Sequence, residues 1–261
     1  FSFISLILSV ITLWINGYIA KKDTEKFPFG KAVLEPIIIL VESLIILVTC
    51  FFSFKSAVQI IIAGGHEIEF GLAIVYSIGS VGGCGIITAY IMKQGKKTSS
   101  DLVKSEGNQW FVDTALSGAE LVGFLVAILL KNLGITAITP YVDPLMTIIA
   151  CVSVIKLPAV TFIDSFKEII SAKANDEINE DIYILVKGIE KEYNFEDSIA
   201  RVSKIGRELR IEIDFIYNKD SKLKTLDQMD CVREEINEAI KHIKYKKWLN
   251  VSFTGNRKWV I

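Results

Sequence analysis

Long apolar stretches dominate the first part of this sequence, and they constrain its fold more than any other feature. A helix needs about 20 mostly apolar residues to cross the hydrocarbon core of a bilayer. Stretches of this kind occupy residues 1–20, 34–63, 70–92, 108–131 and 142–163. Hydrophobic residues make up 51% of the chain, above the share of a typical soluble domain. The sequence therefore predicts a membrane-embedded α-helical bundle with five spans.

Charge divides the chain in two. Lys and Arg are sparse as far as Ile163 and become dense from Asp164 onward. This change predicts a transmembrane helix domain over residues 1–163 and a soluble domain over residues 164–261.

The loops between the apolar stretches predict an orientation. Basic residues are concentrated in the first and third loops, which carry Lys21, Lys22, Lys26, Lys31, Lys93, Lys96, Lys97 and Lys104. The second loop has no Lys or Arg, and the fourth has Lys131 alone. Because basic loops face the cytosol, we expect these two loops and the C-terminal domain to be cytosolic. Phe1 then lies near the outer side, and a further upstream helix would bring the N-terminus to the cytosol.

Polar residues inside the spans are the candidates for function, since a charge at mid-bilayer costs about 2.5–3.5 kcal/mol and usually faces the bundle interior or an ion path. In the fourth span such residues recur at steps of three and four, which places them on one helix face: Glu106, Gln109, Asp113, Ser117 and Glu120. The first span has a comparable stripe of Ser2, Ser5, Ser9, Thr12 and Asn16, and the second has Glu35 and Glu42. The hydroxyl stripe fits helix packing as well as ion binding. Asp113 is different, because a buried carboxylate needs a partner, a proton or an ion.

The soluble domain reads as α-β-β-α-β. Asn175 is a predicted N-cap of an amphipathic helix, and "ELRIEIDFIY" alternates apolar and polar residues like a strand. Gly206 lies where a hairpin needs a turn, Thr225 to Ile243 forms a second amphipathic helix, and "WLNVSF" is a third strand. We expect an α+β sandwich with helices on one face of a sheet. No phosphate loop or nucleophile elbow occurs in it, which favours a docking or dimerisation module and predicts that the protein is not an enzyme.

The whole chain resembles the cation diffusion facilitator family of metal-ion/proton exchangers. "FPFGKAVLEP" is similar to the family's H-x-F-G-H-G-(K/R)-x-E loop, "QWFVDTALSG" to its fifth-helix H-x-x-x-D motif, and "YVDPLMTIIACVSVI" to the start of its sixth helix. The resemblance implies that the five spans are family helices two to six of a six-helix domain. It also implies a ferredoxin-like cytosolic domain that holds a homodimer, and a location in the plasma (inner) membrane.

The sequence departs from the family at the metal ligands. The family takes two ligands from its second helix and two from its fifth. Gapless counting from Phe29 places the second-helix pair at Phe1 and Ser5. On the fifth helix, Gln109 stands at the His position. Of the family's four ligands, Asp113 alone is retained. The second-site loop histidines correspond to Phe27 and Lys31, and metal-binding positions of the soluble domain correspond to Asp230 and Thr254.

These departures change the expected chemistry. An amide, a hydroxyl and one carboxylate make a weak zinc site, whereas oxygen ligands suit harder ions such as Mg²⁺ or Mn²⁺. The resemblance places two metal ligands, Gln109 and Asp113, on the fifth family helix. Asp113 can lose a proton when a cation binds, and Gln109 cannot. The predicted transport-site residues are Asp113, Gln109, Ser5, Ser117 and Glu42.

Three functional hypotheses follow. The first is a proton-coupled divalent cation transporter that works by alternating access, with the choice among Mn²⁺, Mg²⁺, Zn²⁺, Co²⁺ and Fe²⁺ open. The second is a non-transporting scaffold or regulator, and the third is a transporter of a monovalent or organic cation. The expected partners are the lipid bilayer, a metal cation, protons and a second copy of the chain. Neither a nucleic acid nor a prosthetic group is expected.

Overall fold

A computed structural model of the chain describes residues 2–21, 25–65, 70–98, 101–135 and 137–260. The chain divides into two compact units, Phe1–Phe166 and Lys167–Ile261. Phe1, at a ligand position by gapless counting, lies outside the described residues.

The first unit is a bundle of apolar helices. Their bounds are α1 Ser2–Ala20, α2 Leu34–Ile62, α3 Phe70–Thr98, α4 Asp101–Asn132, α5 Thr139–Val154 and α6 Lys156–Ile169. Four segments are long and apolar enough to cross a membrane, namely Leu34–Ile62, Ile74–Gly95, Asp101–Asn132 and Thr139–Ile169. The described apolar part of α1, Ser5–Ile19, is shorter. The predicted membrane-embedded helical bundle is confirmed.

Helix α4 is longer at its start than its apolar pattern predicts. It begins at Asp101 instead of residue 108, because a helix continues past the hydrocarbon wherever its first N–H groups find partners. The buried Glu35 side chain supplies one partner, accepting a hydrogen bond of 3.2 Å from the Leu102 N–H.

The predicted fifth span is broken in the structure. Helix α5 ends at Val154 and α6 starts at Lys156. Pro158 lies in the first turn of α6, and its missing N–H removes the bond that would continue the helical ladder to Val154.

Helix α4 lies at the centre of the bundle, since it contacts α1, α2, α3 and α5. Its approach to α5 is close at Gly123, where an added Cβ would lie 3.4 Å from the Met146 side chain and 3.5 Å from the Asp143 Cα. Helix α1, by contrast, exposes 70% of Leu13 and 74% of Trp14, which suits a surface facing lipid.

The second unit has the predicted element order. Its elements are α7 Asp176–Tyr193, β1 Asp197–Ile205, β2 Glu208–Ile216, α8 Leu226–Ala239 and β3 Lys246–Thr254. The sheet order is β1-β2-β3, with β2 antiparallel to β1 and parallel to β3. The β1–β2 hairpin turns at Gly206, whose φ of 56° favours glycine.

One face of the sheet forms the core of this unit. Alternate residues of β2 are almost fully buried, with Leu209, Ile211, Ile213 and Phe215 at 0–1% exposure. They pack against apolar residues of α7 and α8. Asn175 is the predicted N-cap of α7 and accepts from the Glu177 N–H. Thr225, predicted as the first residue of the second helix, is instead its N-cap and forms a capping box with Gln228.

Replacing Ile211 by Ala is expected to destabilise this unit by about 3 kcal/mol, because it leaves a cavity in a filled core. Hydrogen exchange of the β2 amides, measured by mass spectrometry on the full chain, should then accelerate about 100-fold. Ile184→Ala is the matched control, since Ile184 is 63% exposed on α7, and it should leave β2 exchange unchanged. Equal exchange in both variants would contradict the assigned core.

Candidate cation site

Asp113, Gln109 and Ser5 lie together between α4 and α1. Their exposures are 4%, 1% and 4%, and all three line one small cavity. The Asp113 Oδ2 and both polar atoms of the Gln109 amide are buried and have no hydrogen-bond partner in the described part of the chain. Buried polar groups are nearly always satisfied in folded proteins, so these three atoms mark a candidate binding site for a polar ligand.

A small cavity accompanies these groups. Its volume is about 20 Å³, and it is lined by Ser5, Leu8, Ile45, Ile46, Thr49, Gln109, Val112 and Asp113. A cavity needs about 10–15 Å³ of such volume to hold one water molecule. The space therefore accommodates a water molecule or a small ion.

The other two predicted site residues lie elsewhere. Ser117 is half-buried and is not among the residues that line the cavity. Glu42 is 2% exposed and accepts hydrogen bonds from Thr12 Oγ1 and from Ser105 Oγ, the latter at 3.2 Å.

A second carboxylate lies beside Glu42. Glu106 accepts a hydrogen bond of 2.7 Å from Ser9 Oγ, and the Trp110 indole N–H donates to the same Ser9 Oγ at 3.1 Å. The other Glu106 oxygen is buried, with no partner in the described ranges. A cleft of about 380 Å³ between α1, α3 and α4 has Ser9, Thr12, Glu106 and Trp110 among its lining residues.

Some contributors to this region are absent from the sequence prediction. Thr49 lines the small cavity, and its position seven residues after Glu42 is the signal that would place it on the same helix face. Ser105 precedes the predicted fourth span. Ser9 and Thr12 belong to the predicted hydroxyl stripe, and their contacts with carboxylates favour a role beyond packing.

The donor set is unsuited to a tight zinc site. Among the described residues, no group of three or more His, Cys, Asp or Glu side chains is placed to hold a metal ion. Structural zinc sites use four such ligands, and catalytic ones use three. The carboxylate, amide and hydroxyl oxygens around Asp113 instead match the preferences of hard cations.

Comparison with known proteins agrees with the geometry. A family model described as the cation efflux transmembrane domain matches residues 1–170. No curated protein matches the chain.

Proposed function

This chain belongs to the cation efflux family, the cation diffusion facilitators, and from that premise we propose that it carries a hard divalent cation across the membrane with Asp113 as the principal ligand. Gln109 and Ser5 act as neutral oxygen ligands. The family and the apolar helices make the protein an integral membrane cation transporter; the ligands, the cargo and the mechanism are the proposal.

The observation that carries the proposal is the unsatisfied polar surface around one small cavity. The Asp113 carboxylate has one free oxygen, and the Gln109 amide has both polar atoms free, within the described residues. Both side chains line a space of about 20 Å³. A dehydrated cation in that space would satisfy the two oxygens, Asp113 Oδ2 and Gln109 Oε1, and neutralise the carboxylate.

The ligands favour Mn²⁺ or Mg²⁺ over Zn²⁺. Hard cations accept carboxylate, amide and hydroxyl oxygens, whereas zinc gains most from imidazole and thiolate. The first comparison among cargoes is therefore Mn²⁺ and Mg²⁺ against Zn²⁺, Co²⁺ and Fe²⁺.

The transport cycle we propose is proton-coupled alternating access. Asp113 takes up a proton when the cation leaves and releases it when the cation binds. Helices α1 and α4 carry the ligands and would rock around the site. The loop charges support a cytosolic C-terminal domain. We propose that the protein lies in the plasma membrane and that this domain joins two protomers.

Flux into proteoliposomes tests the proposal. The purified chain is reconstituted, and uptake of each divalent cation is measured with an imposed pH gradient against protein-free liposomes. We expect Mn²⁺ or Mg²⁺ uptake that exceeds Zn²⁺ uptake and reverses with the gradient. Equal uptake in protein-free liposomes for every divalent cation would contradict it.

A second function, a scaffold or regulator that does not transport, is favoured by one observation. The described residues contain no group of three metal-type side chains. That reading predicts no flux of any cation, monovalent or organic ones included, from a chain that still inserts and folds. Flux of a monovalent or organic cation alone would instead assign a different cargo.

A further inference from the structure

Lys31, in the loop between α1 and α2, is a buried lysine without a carboxylate partner among the described residues. It is 9% exposed, and it belongs to none of the ion pairs in the described ranges. Lysine side chains are almost never buried unless they are paired. Other groups must therefore stabilise this ammonium.

Two backbone oxygens and two aromatic rings surround the ammonium. Lys31 Nζ donates to the Lys21 carbonyl at 3.2 Å and to the Tyr18 carbonyl at 3.4 Å. It also lies 4.0 Å from the centroid of the Tyr18 ring and 5.0 Å from the centroid of the Phe27 ring. A cation within about 6 Å of an aromatic face is attracted by the ring. The carbonyls of Tyr18 and Lys21 and the rings of Tyr18 and Phe27 thus form a cage for one positive charge.

The cage lies at the C-terminal end of α1, which has no basic residue in its last turn. Because α1 ends at Ala20, the Tyr18 carbonyl is among the last four, which have no partner within the helix. The helix dipole also favours a positive charge at this end. Lys31 therefore supplies from outside α1 the cap that the helix itself lacks.

The backbone around Lys31 holds the side chain in this position. The Gly30 N–H donates to the Phe27 carbonyl at 2.9 Å, and the Leu34 N–H donates to the Lys31 carbonyl at 3.0 Å. Gly30 has a φ of 79°, which residues with a side chain rarely adopt. Lys31 thus contacts the start of α2 through its carbonyl and the end of α1 through its ammonium.

We propose that Lys31 is an internal cation clamp, which holds the end of α1 to the start of α2 and makes that end the pivot of α1. Ser5 lines the Asp113 cavity and lies 13 residues before Tyr18, about 20 Å along the helix axis. When α1 rocks, the motion is therefore largest near Ser5 and smallest at the clamp. The chain itself supplies the cation, so no bound metal is needed to order this loop. The inference rests on the proposed function only for the motion of α1.

Hydrogen exchange of the full chain in lipid nanodiscs, measured by mass spectrometry, tests the clamp. Lys31→Met keeps an apolar stem and removes the ammonium, and we expect it to accelerate exchange of the Gly30 and Leu34 amides at least about tenfold. Lys21→Met is the matched control, since it removes the same charge from the same loop, and Lys21 contributes its backbone carbonyl to the cage. This control should exchange like wild type. Saturating Mn²⁺ should change exchange near Ser5 and leave the loop unchanged.

Restoring the ammonium separates the loss of charge from the loss of packing. Lys31→Cys is combined with Cys231→Ser, which removes the exposed native thiol. The new thiolate then displaces bromide from 2-bromoethylamine, which rebuilds a primary ammonium of nearly lysine length. Iodoacetamide gives a neutral amide at the same sulfur, and treated Cys231→Ser controls for the remaining thiols. We expect slow exchange to return with the ammonium and not with the amide.

The outcomes separate the clamp from the proposed transport. Wild-type exchange in Lys31→Met, recovery with the neutral amide, or a loop that Mn²⁺ protects would each overturn the clamp, and Mn²⁺-dependent changes as large at Tyr18 as at Ser5 would overturn the pivot. If Lys31→Met does not fold, Tyr18→Leu removes a ring that is 40% exposed and should accelerate the same amides; wild-type exchange there would also overturn the clamp. Faster loop exchange in Lys31→Met from a chain without cation flux would support the clamp and contradict the proposed function.

Discussion

Replacing Asp113 by Asn should reduce cation flux at least about 100-fold. Asn keeps the size of the side chain, so the change removes the charge with little loss of packing. Asp113 is 4% exposed. Among the residues that line the small cavity, it is the one with an acidic side chain. Removing one partner of a buried charge pair costs about 3–5 kcal/mol, which corresponds to a factor of roughly 100 or more.

The measurement is initial Mn²⁺ uptake by proteoliposomes at matched protein density. Glu120→Gln is the control, since it removes a carboxylate from the same helix seven residues away and should retain at least half of the wild-type rate. Flux in Asp113→Asn within twofold of wild type would rule out Asp113 as the principal ligand. An equal loss in both variants would show that α4 tolerates no loss of charge, and would also reject a site centred on Asp113.

The soluble unit was predictable because its pattern is local. Alternation along "ELRIEIDF" placed Leu209, Ile211 and Phe215 on one face, and all three are buried. Asn175 and Thr225 caps follow from side chains that satisfy neighbouring N–H groups. Sheet order was not predictable, because pairing depends on contacts between strands that are distant in sequence.

The spans were predictable and some of their ends were not. Apolar length locates the part of a helix inside the hydrocarbon, whereas the ends depend on hydrogen bonds from other elements. The Glu35–Leu102 contact at the start of α4 is one such bond. The break near Pro158 has a different cause, because this one residue has no N–H to continue the helical hydrogen bonds.

The part of the candidate site that lies on α4 was predictable from the sequence. The contacts that other helices make with it were not. The period of α4 placed Gln109 and Asp113 on one face, and both line the cavity. Ser117 continues the same period but lies beyond the cavity, because the cavity is shorter than the polar face. Contacts such as Ser105–Glu42 depend on how helices cross, which the period of a single helix does not determine.

Replacing Gln109 by His is expected to raise zinc affinity at least about tenfold and to shift selectivity away from hard cations. His and Gln are similar in length, and the His ring would enter a site that is 1% exposed at Gln109, one helical turn from Asp113. An imidazole nitrogen and a carboxylate are both strong zinc ligands, whereas the amide is a weak one. A tenfold gain requires about 1.4 kcal/mol, which is modest for a new metal ligand.

Competition for Zn²⁺ against a chelating dye measures this change in the detergent-solubilised chain. Gln94→His is the matched control, because Gln94 lines the larger cleft and not the small cavity. We expect Gln109→His to bind Zn²⁺ more tightly than both wild type and this control, and to lose the gain when Asp113→Asn is added. The same gain in Gln94→His, or a gain that survives the loss of Asp113, would mean that the new imidazole binds zinc without the carboxylate and that the two side chains do not share one ion.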